Sequence, residues 1–256
     1  MAYRFATEAA DHSDLASGRV IHGLPGHPAF PVRLADEVLR RCLALREARP
    51  PGAAPCTVYD PCCGAAYHLA VMGFLHRGAI RRILASDVDP AVLGTAERNL
   101  ALLGLEGMDA RIRELEDLHA RYGKESHREA LESASRLREQ VAASADRHPL
   151  TTRVFRANAL DRGALERGLG GQVVDVVFAD VPYGWSSRWE GVERAPPRED
   201  APPLWSLLEA LRGVVAPGTV VAIASDKAQK AAHEGYRRLE RFQVGRRRIV
   251  IVRPDW

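Results

Sequence analysis

The chain has 256 residues, 46% hydrophobic and 27% charged, with a formal net charge of +3. That is enough apolar side chain for a real core, which excludes a disordered chain, and the length suits one large domain or one domain with a small appendage. No run approaches the roughly 18 apolar residues of a membrane span and Met1-Ala2-Tyr3-Arg4-Phe5 opens no signal-peptide core, so a cytoplasmic chain with no membrane role is expected.

Residues 1–55 open with turn-rich sequence (Ser17-Gly18, Gly23, Pro25-Gly26, Pro28, Pro31), and a helix is predicted from Val32 to Ala48 on the spacing of Leu34, Val38, Leu39, Leu43 and Leu45. Arg49-Pro50-Pro51-Gly52 ends it. From residue 56 strands and helices alternate. Cys56 to Asp60 is a first strand, followed by a glycine turn and a helix from Ala65 to about Arg77. Ile80 to Asp87 is a second strand. Asp89-Pro90 opens a helix that runs to Leu103, since Asp suits an N-cap and Pro the first helical position. Thr151 to Asn158 and Gln172 to Asp180 read as the third and fourth strands. Pro203 to Val215 reads as a helix, Gly218 to Asp226 as a fifth strand and Lys227 to His233 as a short helix. Tyr236 to Val244 and Arg246 to Arg253 close the chain as two strands around Gly245. This order predicts an α/β fold: a doubly wound, mostly parallel, seven-stranded Rossmann-like sheet over residues 56–256, with a C-terminal antiparallel edge hairpin.

Residues 105–150 interrupt the alternation with a predicted helical hairpin split near Tyr122-Gly123. Its eight basic and ten acidic residues fit either a solvated helical pair or a cap over a substrate entrance. From Lys227 to Trp256 there are nine basic and three acidic residues. Arginine forks onto phosphate, so this run suits nucleic acid, although a GC-rich coding sequence would also enrich arginine. Trp185, Trp189 and Trp205 flank a Pro-rich stretch, 195–203, that reads either as a lid or as a loop pinned to the surface.

In open α/β sheets, ligands bind outside the carboxyl ends of the strands at the point where strand order reverses. Four predicted strand ends carry polar or small residues: Asp60-Pro61-Cys62-Cys63-Gly64, Asp87-Val88-Asp89, Asn158-Ala159 and Asp180-Val181-Pro182-Tyr183-Gly184. In the first, Gly64 lets a cofactor pass close to the backbone, Cys62 lines the turn, and Asp60 suits the ammonium of an amino-acid moiety. Asp87, 23 residues beyond Gly64, stands where an acid accepts the ribose hydroxyls of an adenosine cofactor; the bland alternative is a helix cap, the reading preferred for Asp89. Asn158 suits the adenine edge, with Val88 and Ala159 beside these groups. At the fourth strand end Asp180 can accept an N–H, a carbonyl exposed by Pro182 can aim the nitrogen, and Tyr183 can stack on a base. Positioning then does most of the work. The whole suggests S-adenosyl-L-methionine (SAM) as cofactor and nitrogen as methyl acceptor.

No G-x-G-x-x-G occurs, which argues against a nicotinamide enzyme. Methylation of a pyrimidine carbon needs a nucleophilic cysteine near the fourth or fifth strand end, but Cys62 and Cys63 follow the first and none comes later. The four cysteines form no CxxC pair or Cys/His cluster, so neither metal nor disulfide is expected. Three readings remain: transfer to guanine; transfer to adenine or a protein amide, for which Asn-Pro-Pro-Tyr rather than Asp-Val-Pro-Tyr is usual; and a non-catalytic RNA-binding descendant, which a left-handed backbone at Ala66 would favour.

These residues resemble the AviRa family of avilamycin-resistance methyltransferases of 23S ribosomal RNA. The resemblance runs through Ser17-Gly18-Arg19-Val20, Pro28 to Ala35, the doubled cysteine after Asp60-Pro61, Ala85 to Pro90, Asn99 to Leu103, the helical insertion and Asp180 to Gly184. It implies a SAM-dependent enzyme that modifies a guanosine of 23S rRNA, free or in the large ribosomal subunit, where the methyl group blocks an orthosomycin antibiotic; a monomer is the default expectation, since one RNA site needs one enzyme. Phe30 and Arg33 become candidate cofactor residues only by this comparison. The chain departs from the family's Gly-Ser-Gly turn, carrying Gly64-Ala65-Ala66, has Val181 for a leucine, and has Asn158 where an acid is usual.

Overall fold

Asp60 and Asp180 end two neighbouring parallel strands in the middle of a seven-stranded sheet, Cys56–Asp60 (β1) and Val174–Asp180 (β4). The computed structural model describes residues 3–8, 10–25, 28–46, 54–181 and 202–256. The remaining strands are Ile80–Asp87 (β2), Thr151–Arg156 (β3), Val215–Ser225 (β5), Tyr236–Val244 (β6) and Arg247–Pro254 (β7). They lie in the order β3-β2-β1-β4-β5-β7-β6, parallel except for β7, which is antiparallel to both neighbours. The order reverses between β1 and β4, which makes that junction the ligand-binding crevice of the fold. The doubly wound sheet and closing hairpin read from the sequence are therefore present.

Helices cover both faces. Val32–Leu45 (α1), Tyr67–Leu75 (α2) and Pro90–Ala101 (α3) pack on one side through Leu34, Val38, Leu69, Met72 and Leu100, against Val58, Phe178 and Ile251. Arg162–Leu169 (α6) and Pro203–Leu211 (α7) cover the other, with Leu165, Leu207 and Leu208 against Tyr59, Val177 and Val252. Successive strand residues thus go to opposite cores, as a strand buried on both faces requires.

Asp89 caps α3 through the Ala91 N–H at 2.8 Å, with Pro90 in the first turn. The insertion is a helical pair, Leu105–Tyr122 (α4) and Glu125–Ser144 (α5), turned by Gly123 at φ 59°. Met108, Leu115, Ala134, Leu137 and Val141 join the first core. Many of its charges pair with acids or bases nearby: Arg111 with Glu114, Arg128 with Glu125 and Glu132, Arg138 with Asp109, and Arg136 with Asp14. Charges paired in this way suit a solvated helical pair and leave the cap over a substrate entrance equally open.

Three of the differences from expectation have a local cause. Residues 227–233 form no helix. Asp226 Oδ1 accepts from the Ala228 and Gln229 N–H groups as a cap would, but His233 stacks on Trp205 and bonds Glu209, which holds the segment as an irregular connection. Helix α2 starts at Tyr67, because Ala66 is left-handed, and ends at Leu75. Helix α7 stops at Leu211, since β5 begins as early as Val215. Pro182 to Gly184, Trp185 and Trp189, with the Pro-rich stretch up to residue 201, lie outside the described residues.

Candidate active site

The ends of β1, β2 and β4 bring Asp60, Asp87 and Asp180 together around one turn. Their convergence is legible at Cys62: burial first, then the nearby carboxylates of Asp60, Asp87 and Asp180, push its thiol well above the ordinary cysteine range. Cys63 is raised for the same reasons. Neither thiol is a nucleophile in such surroundings, which agrees with the exclusion of cysteine-based chemistry.

The turn itself is cross-braced. Asp87 Oδ2 accepts from the Gly64 N–H at 2.8 Å and its Oδ1 from the Asp89 N–H at 3.0 Å. Burial, opposed by these N–H groups, holds the Asp87 carboxyl above the usual range; hydroxyl donors would relieve that cost. Gly64 has φ 51°, and a Cβ built there would meet nothing within 4 Å, so open space lies over the turn. Asn158 Oδ1 accepts from the Leu160 N–H, which leaves its amide NH2 for a ring edge. Ala159 is buried beside it, and the Val88 carbonyl accepts from Arg156.

Asp60 is more internal than its expected role suggests. It is fully buried, its Oδ1 accepts from the Cys62 N–H at 2.8 Å, and its Oδ2 lies 2.9 Å from His68 Nε2. The His68 ring, on the inner side of α2, also bonds the Phe178 carbonyl. Burial opposes charge on this ring, but Asp60, then Asp180 and the Phe178 carbonyl, raise its pKa. His68 thus ties the β1 loop to β4 from beneath. Phe30 forms the floor, with its ring 5.6 Å from His68 and edge-on to Phe178 at 5.3 Å. Arg33 donates to the Ala6 and Thr7 carbonyls and covers the Tyr3 ring, fastening the N-terminal segment.

Two residues escaped the sequence reading. His68 gives only the faint signal of an imidazole eight residues past Asp60 on an otherwise apolar helix. Asn99, fully buried on α3, accepts from the His22 N–H at 2.7 Å and donates to the carbonyls of His22 and Ala65 at 2.9 and 2.8 Å. It fixes the turn just before Ala66, whose φ is 54°. The Ala66 methyl group belongs to the first apolar core and is not exposed. Its left-handed strain therefore falls on folding, while the methyl stays out of the open side of the turn.

A sheet in this order, with acids at the ends of β1, β2 and β4, defines the class I methyltransferase fold. Within that class the chain belongs to the AviRa family of rRNA methyltransferases, which it matches over residues 1–247. It is 44% identical, over 98% of its length and 96% of the relative's, to a 23S rRNA (guanine(2535)-N(1))-methyltransferase of Streptomyces viridochromogenes. It also superposes on two crystal structures of the rRNA methyltransferase AviRa from that organism. One, at 43% identity, and the other, at 41%, each give a TM-score of 0.84 over 99% of this chain and 96% of theirs.

Proposed function

We propose that this protein transfers a methyl group from SAM to N1 of a guanine in 23S rRNA, and so protects the ribosome from an orthosomycin antibiotic. The observation that carries the substrate is the near full-length identity to a 23S rRNA guanine-N1 methyltransferase; the three converging carboxylates agree with it. It works as a cytoplasmic monomer, since one RNA site needs one enzyme.

SAM, when bound, supplies a methyl group on a sulfonium sulfur that leaves as a neutral thioether. Gly64 gives its backbone to the cofactor, with Cys62 lining the turn. Asp87 accepts the ribose hydroxyls; Val88, Asn158 and Ala159 flank the adenine. Asp60 receives the ammonium through its charge or through water, since its Oδ1 already accepts from the Cys62 N–H and its Oδ2 lies against His68. Asp180 accepts the N1 proton as the nitrogen–carbon bond forms, and Pro182 and Tyr183 aim and stack the base. Holding nitrogen and methyl in line supplies most of the acceleration.

The test is methylation of 23S rRNA transcripts followed by primer extension, because a methyl group on the pairing edge arrests the polymerase. The wild type gives one new stop. Asp180→Ala loses it while SAM affinity in calorimetry changes less than about threefold; retained transfer in this variant would falsify the assignment of Asp180.

A second reading has one observation in its favour: Ala66 is left-handed, as expected of a non-catalytic RNA-binding descendant. An Ala in that conformation costs roughly 1–2 kcal/mol, against about 0.8 kcal/mol gained by burying its methyl group. The difference is about 0.2–1.2 kcal/mol in favour of glycine, so Ala66→Gly raises stability slightly and leaves SAM affinity close to the wild type. If transfer appeared only in Ala66→Gly, the non-catalytic reading would stand.

A further inference from the structure

We infer that the α7-side face of the β6–β7 hairpin grips the phosphate backbone of the RNA substrate and leads it to the catalytic end of the sheet. This rests on the reading of the chain as an rRNA methyltransferase.

Residues 236–254 carry seven arginines and one acid, Glu240. A β-bulge between Arg238 and Glu240 sorts them. In regular strand Arg238 and Glu240 would share a face. The bulge instead sets Arg238 opposite Val252 and Glu240 opposite Ile251. Val252 belongs to the core under α7, and Ile251 to the core under α1. Directly opposed residues share a face, so Glu240 goes to the α1 side. There it pairs with Arg41 at 2.7 Å and Arg4 at 3.4 Å. Arg238, Arg241 opposite Val250, and Arg248 opposite Gln243 all lie on the α7 side. Beside the buried Tyr236, Val250 and Val252, that face carries arginine and glutamine and no acid.

The strand directions aim this stripe. β7 is antiparallel to both β5 and β6, so β6 runs parallel to β5 and its carboxyl end lies at the catalytic end of the sheet. From Arg238 to Gln243 the stripe rises roughly 17 Å. At its top Arg248 pairs with Ser225, the last residue of β5, next to β4. The tip also touches the site: the Arg247 guanidinium lies 5.1 Å over the Phe30 ring, which forms the floor beneath His68 and Asp60. Arg238, Arg241 and Arg246 are exposed, and Lys227 and Lys230 leave β5 at the same end. Among the described residues Arg238, Arg241, Arg246 and Arg248 make no ion pair, unlike Arg111, Arg128, Arg136 and Arg138 of the helical insertion. The phosphate backbone is the polyanion that exposed guanidinium forks suit. The bland alternative is that edge-strand charges only discourage edge-to-edge pairing.

The test is binding of the full chain to in vitro transcribed 23S rRNA between 50 and 200 mM salt. The triple variant Arg238→Gln/Arg241→Gln/Arg248→Gln is compared with Arg113→Gln/Arg121→Gln on α4. The triple variant binds RNA at least tenfold more weakly, with its log–log salt slope smaller by about two, and its KM for RNA rises while SAM affinity does not move. The α4 variant behaves as wild type. A folded triple variant with wild-type affinity and slope overturns this inference alone. A wild type that binds no RNA overturns it together with the RNA assignment.

Discussion

His22 shows how far a single side chain's environment can reach. Its ring is held down to about 4 by burial and then by the Arg111 guanidinium, with Arg98 adding to this and Glu114 opposing it. The folded state therefore keeps His22 neutral where the unfolded chain protonates it. Its contribution is complete above pH 6.5 and disappears as the pH falls from there to 4. Between pH 7 and pH 4.5 this amounts to about 2 kcal/mol. Urea midpoints at the two pH values check it: His22→Gln loses less stability on acidification than the wild type. Asn99 links the His22 backbone to the Ala65 carbonyl, so acid is expected to loosen the Gly64–Ala66 turn as well. At this scale the sequence spoke unevenly. Asp87 and Gly64 were legible because strand ends place them by rule. Asp60 was legible in position but not in partners, since its contact with His68 depends on how α2 rolls onto β1. Arg33 could not be placed, because nothing in its neighbours announces the carbonyls of Ala6 and Thr7.

Elements meet through their smallest residues. Helix α4 begins so close to the end of α3 that a Cβ on Gly107 would lie 2.1 Å from the Ala101 carbonyl oxygen. The obstacle is backbone, so Gly107→Ala separates the two helices and lowers stability by more than about 2 kcal/mol. Gly94, exposed on α3, has nothing within 4 Å of a built Cβ. Gly94→Ala raises stability by about 0.5–1 kcal/mol, since it lowers the entropy cost of the helix. Chemical denaturation of both variants checks the opposite signs. Helix and strand order was readable from apolar periodicity and turn residues alone. The bulge at Arg238 was not, because it shows only in register with β7; nor was the irregular path of 227–233, which Trp205 and His233 impose from outside the segment.

The molecule as a whole is fastened at its N-terminal side by one buried acid. Glu37, fully buried on α1, accepts from the N–H groups of Arg4, Phe5 and Ala6 at 2.6, 2.8 and 2.7 Å, and from Arg41 at 2.6 Å. Burial favours the neutral acid, but these four donors outweigh it and hold its pKa below the usual glutamate value. Its contribution is thus present above pH 4.5 and lost as the pH falls through the lowered value. Glu37→Ala leaves three N–H groups and part of Arg41 unanswered and costs about 3–5 kcal/mol. Limited proteolysis would show cleavage near Arg4 before any global unfolding; uncut protein of wild-type stability would refute the clasp.

Strand β7 lies between β5 and β6, although it is made after both. A nascent chain that has released β5 and β6 can pair β5 with β4 but has no sheet partner for β6, and Val221 to Ser225 stay an open edge on β5 until Arg248 to Val252 emerge. The apolar row Ile249 to Val252 then closes both cores at once. Completion of the domain therefore waits for the last strand of the sheet in chain order, and a ribosome stalled before β7 would display a sticky, half-closed intermediate of the kind chaperones engage.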